Sequence, residues 1–93
     1  MIIEKIECYD KYEAEKLAGF LTMDKNDFVF LERITTVFHN EVVFTLKDKS
    51  SHSVILRDNQ SAFRLNEVIM ESIRHKKRIS SNSNNSTIEI TIC

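Results

Sequence analysis

Residues 28–57, FVFLERITTVFHNEVVFTLKDKSSHSVILR, decide how this chain folds. Phe28, Phe30, Ile34, Thr36 and Phe38 share one parity, with Glu32 as the single charged interruption. Val42, Phe44 and Leu46 share a parity in the next run, and Val54 and Leu56 in the third. Successive side chains of a strand point to opposite faces, so these sets describe three strands that present one Phe-rich face. A two-residue turn at His39-Asn40 would put Phe44 on the wrong face. A three-residue loop, His39-Asn40-Glu41, keeps the sets together and predicts Phe38 opposite Val42, Thr36 opposite Phe44 and Ile34 opposite Leu46. Asn40 suits the left-handed position that such loops use. The polar connection 47–53 then predicts Leu46 opposite Val54 and Phe44 opposite Leu56.

Outward from this meander, residues 1–8 alternate as a half-exposed strand. Asp10 opens a helix, with Glu13 three residues on in a capping-box arrangement. Ala14, Leu17, Ala18 and Leu21 form its apolar stripe. Gly19 either costs this helix about 1 kcal/mol relative to Ala or permits close approach to the sheet. Asp58, Asn59, Gln60 and Ser61 offer caps for a second helix, where Ala62, Leu65, Ile69 and Ile73 recur at helical spacing, flanked by Phe63 and Met70. This helix is expected to pack across the Phe-rich face. Residues 80–86, SSNSNNS, have nothing to bury and read as a mobile polar loop. Residues 87–93 alternate Ile with polar residues and read as a short strand that pairs with residues 1–8. The expectation is a single α+β domain over residues 1–93, ordered β-α-β-β-β-α-β, with an antiparallel or mixed five-stranded sheet and two helices.

Composition excludes several function classes. The 93 residues include one glycine and no proline, so turns are built from Asn, Asp, Ser and Lys, and no Gly-rich phosphate loop can form. No apolar run approaches the roughly 20 residues of a membrane span. The acidic opening MIIEKIE lacks a secretion signal's apolar region, which points to the cytoplasm and to Cys8 and Cys93 as thiols. A bridge between them would need the two chain ends to pair. His39, His52, His75 and the cysteines have no metal-ligand spacing. His52 beside Ser50, Ser51 and Ser53 is what a polar turn contains, without an oxyanion site to make it catalytic. The expectation is no enzyme, no cofactor, no small-molecule substrate and no membrane partner.

Three surface features bear on binding. The basic run Arg74, Lys76, Lys77 and Arg78 offers phosphate contacts, or else complements the dipole at a helix C-terminus. The first 32 residues hold eight acidic against four basic residues, a net −4, and the remainder six against nine, a net +3. Such an acidic third could mimic a nucleic acid toward a basic partner, or could be a solvated surface. Finally, Val29, Leu31, Val37, Val43 and Ile55 project away from the Phe-rich face, with Arg33 and Arg57 as a polar rim. They form a partner or oligomer interface if both helices pack on the Phe-rich face, and core if one helix covers each face. These features favour a small binding protein that acts by protein–protein contact or homo-oligomerisation, with nucleic acid as the alternative partner. The Ile, Lys, Asn and Ser bias fits a compact accessory protein of an AT-rich phage or mobile element, for which inhibition of a host enzyme or defence complex is a natural role.

Overall fold

In the computed structural model, residues 2–21, 31–37, 40–75, 77 and 79–92 are described. The alternating termini form strands β1 (Ile2–Glu7) and β6 (Thr87–Ile92), which pair antiparallel from Ile2 opposite Ile92 to Glu7 opposite Thr87. Ile6, Ile88 and Ile90 lie on the buried parity of this pair. Helix α1 (Lys11–Leu21) starts where Asp10 accepts the Glu13 N–H at 2.9 Å. Only half of the expected capping box forms, because the Glu13 carboxylate reaches away from the helix to the Ile55 N–H.

The central meander consists of β2 (Leu31–Val37), β3 (Glu41–Leu46) and β4 (Ser51–Ile55), all antiparallel. Val42, Phe44, Leu46, Val54 and Leu56 are buried, on the face that their parity predicts. The predicted pairings are displaced, however. Thr36 stands opposite Val42 and Ile34 opposite Phe44, two residues from expectation. On the other side Val42 faces Val54, and Phe44 faces His52 in place of Leu56. Slips by even numbers leave side chains on their own faces as far as the irregularity between Leu31 and Arg33, so the hydrophobic pattern could not distinguish these registers. The β3–β4 connection is shorter than predicted. Lys49, at φ 75°, takes the left-handed position after a turn closed by its own N–H to the Leu46 carbonyl at 2.9 Å.

Helix α2 (Asn59–Arg74) is capped by Asp58, whose side chain accepts the Ser61 N–H at 2.8 Å. Hydrogen bonding from Ser61 holds the Asp58 carboxyl below its usual range. After α2 comes the main departure from expectation. Strand β5 (Ile79–Asn84) occupies most of the Ser/Asn run assigned to a mobile loop, and pairs antiparallel with β6 through a tight turn at Asn85 and Ser86. Asn85 adopts φ 56°, a conformation Asn tolerates well. Propensity argues against this strand, but β6 supplies a row of backbone partners and Ile79 anchors the start in the core. Ser81 and Ser83 are half-buried, and the Ser81 hydroxyl donates to the Ala18 carbonyl at 3.4 Å. Small side chains here let α1 lie close on the strand.

The result is a small α+β domain with two three-stranded sheets, β1-β6-β5 and β2-β3-β4, in place of one five-stranded sheet. Among the described residues the sheets meet at one antiparallel bridge, Cys8 opposite Leu56. There the Tyr9 N–H donates to the Ile55 carbonyl at 3.0 Å and the Arg57 N–H to the Glu7 carbonyl at 3.1 Å. Both helices contribute to one hydrophobic core, α1 packing on β4, β5 and β6, and α2 on β1, β2 and β3. Phe20 of α1 meets Phe44 with ring centroids 4.5 Å apart.

Candidate functional site

Because one core takes both helices, the inner face of β2-β3-β4 is filled and its outer face carries the alternate parity. Val43 is half-buried between Thr35 and Ser53, its neighbours across the two ladders. Ile55 is half-buried opposite Glu41, and Glu41 in turn stands opposite Val37. Arg33 and Thr35 are exposed, with Arg33 opposite Thr45. A register shift between Leu31 and Arg33 sets Leu31 opposite Leu46, out of step with the Arg33 row. Arg57 is exposed beyond the end of β4, its Nη1 3.9 Å from the Glu7 carboxylate. Val29 lies outside the described residues.

A tyrosine that sequence reading passed over borders this face. The Cys8–Leu56 bridge puts Tyr9 at the rung opposite Ile55, and Tyr9 is 65% exposed. Tyr12, in the first turn of α1, is 71% exposed. Tyrosine and arginine around a small aliphatic centre make the composition in which interface energy concentrates. The signal was present in the sequence as Tyr9 after a strand of alternating Ile, but only the bridge shows which residue it accompanies.

Electrostatics tie the margins together. Glu13, 8% exposed, accepts the Ile55 N–H at 2.9 Å and has the Lys16 ammonium 3.2 Å from the same oxygen. It therefore closes part of the free edge of β4. Lys49 donates to Glu32 at 2.8 Å and holds that carboxyl below its ordinary value. Cys8 is buried beneath the bridge, and burial, with help from Glu13, pushes its thiol up to about 12.

The basic run is partly neutralised. Arg74 donates to Glu71 at 2.9 Å, and His75 Nε2 lies 3.0 Å from the other Glu71 oxygen. Lys77 is exposed, while Lys76 and Arg78 lie outside the described residues. The nearby exposed face of α2 instead carries Phe63 and Met70, 64% and 41% exposed. His52 packs its ring 5.2 Å from that of Phe20. Among the described residues no helix is long and apolar enough to cross a membrane. Comparison with models of known protein families, with curated proteins and with solved structures finds no match to this chain.

Proposed function

We propose that this chain is a non-enzymatic binding protein that acts by protein–protein contact through the outer face of the β2-β3-β4 sheet. The observation that carries the reading is the packing of both helices into a single core on the other side of that sheet. Val43 and Ile55 form the aliphatic centre, Tyr9 the aromatic border, and Arg33 and Arg57 the polar rim. A heterologous protein or a second copy would cover the face. Within this class, the composition favours an accessory protein of a phage or mobile element that inhibits a host enzyme or defence complex in the cytoplasm. In that reducing compartment Cys8, buried and unbridged, stays a thiol.

The test is the size of the species the protein forms in a nuclease-treated lysate. Elution as a dimer or with a stoichiometric protein partner is expected. Elution as a lone 10.9 kDa chain would oppose the reading, and binding that nuclease abolishes would transfer it to the basic end of α2.

A further inference from the structure

We infer that the open edge of β1 is a docking site for an extended segment of a partner protein, which adds antiparallel to β1 as an extra strand. This goes beyond the proposed function, sharing with it only the class of partner and using a different surface. β1 is the outer strand of its sheet, paired on one side with β6. The Cys8 N–H donates to the Ser86 carbonyl at 2.7 Å. In an antiparallel ladder this fixes the phase, so even-numbered residues bond toward β6 and Ile3, Lys5 and Glu7 turn their backbone groups to the open side.

The protein already uses this edge at one end. Around the Cys8–Leu56 bridge, the end of β4 lies antiparallel beside β1 for a single rung before the chain turns off at Asp58 into α2. The Arg57 N–H takes the Glu7 carbonyl at 3.1 Å. Further along the same line, the backbone groups of Lys5 and Ile3 have no strand beside them among the described residues. Ile2 and Ile3, 57% and 55% exposed, flank this unfilled length. A groove of about 190 Å³ between β1 and the first turn of α2 is lined by Lys5, Glu7, Asp58, Gln60, Ser61 and Arg64. It accommodates side chains of the added strand. The edges of β4 and β5 differ: at β4 Glu13 and Tyr9 occupy the Ile55 backbone groups, and β5 offers only Ser and Asn after Ile79.

Charge selects the occupant. Pairing β1 with β1 of a second copy over most of its length sets Lys5 opposite Lys5, and like charges directly opposite destabilise a ladder, or Glu4 opposite Glu4, where the Arg64 guanidinium that each Glu4 contacts offsets part of the repulsion. A heterologous segment avoids this if it carries an acidic side chain opposite Lys5 and an apolar β-branched one opposite Ile3. Strand addition of this kind takes affinity from the main chain and specificity from alternate side chains.

The experiment uses a panel of short synthetic peptides alternating Val or Ile with Glu, and a matched panel with Lys in place of Glu, added to the whole chain. Amide hydrogen exchange is the readout. Glu-bearing peptides are expected to slow exchange at Ile3, Lys5 and Glu7, with the Lys panel binding more weakly. Lys5→Pro removes only an outward N–H, which an edge strand tolerates, and should leave the melt intact while lowering peptide affinity about tenfold or more. Lys5→Glu, which keeps the N–H, should reverse the preference between the panels by about fivefold. No slowing at these amides with any peptide at millimolar concentration overturns the inference, as do an affinity and a panel preference unchanged from the parent in both Lys5 variants. Slowing confined to Val43 and Ile55 would likewise overturn it while leaving the proposed function standing.

Discussion

The Glu13 carboxylate accepts the Ile55 N–H at 2.9 Å, joining the first turn of α1 to the edge of β4 from a site where Glu13 is 8% exposed. A strand edge is a row of unpaired donors and acceptors, and here a side chain takes one of them. The Tyr9 N–H bonds the Ile55 carbonyl on the same residue, so both backbone groups of Ile55 are held at the margin of the proposed interface.

Replacing Glu13 with Ala leaves that N–H without its acceptor in a largely closed site. The expected loss is about 1–3 kcal/mol in urea denaturation, the range for orphaning a buried polar group. Glu13→Gln keeps an acceptor oxygen and should lose less. Equal stability of Glu13→Ala and the parent would show that the contact contributes nothing.

Gly19 lies within α1, and a Cβ built there meets nothing within 4 Å. Of the two readings its sequence position allowed, close approach to the sheet therefore drops out. Gly19→Ala should stabilise the protein by about 1 kcal/mol, raising Tm by roughly 4–8 °C. A lowered Tm would contradict the helix geometry.

Cys8 is protonated in the folded protein up to about 12, against an ordinary thiol value of 9.0. Between those values the unfolded chain loses a proton that the native state retains. The stabilising contribution of the neutral thiol is therefore complete below pH 9 and falls as pH rises toward 12. Thermal melts across that window should show a shallower decline for Cys8→Ala than for the parent. Alkylation of Cys8 should also require unfolding, since the side chain is 1% exposed.

Asp58 caps α2 and its carboxyl sits below the usual range because it accepts from Ser61. A depressed value means the cap stabilises above the unfolded carboxyl's range and is lost as pH falls through it. Asp58→Ala should melt at lower temperature at pH 7 and differ little from the parent near pH 2, while Asp58→Asn preserves the cap across both.

Much of this architecture was legible because period-two alternation reports which face a residue occupies. Val42, Phe44, Val54 and Leu56 are buried as their parity required. Register was not legible, because Thr36 and Phe38 share a face and either can oppose Val42 without cost to the pattern. Strand β5 was hidden for a different reason: Ser and Asn give no hydrophobic signal, and its partners belong to β6 and α1. Of the proposed interface, Val43, Ile55, Arg33 and Arg57 were readable from parity, whereas Tyr9 required the Cys8–Leu56 bridge between the sheets.

The measurement that tests the central claim most directly is quantitative co-purification of protein from a nuclease-treated lysate of its own cells. Folded parent, Val43→Lys and Lys77→Ala chains are compared, with circular dichroism confirming the fold of each. The account predicts a stoichiometric partner retained by the parent and by Lys77→Ala and lost from Val43→Lys. Retention by Val43→Lys together with loss from Lys77→Ala would contradict it and assign binding to the basic end of α2.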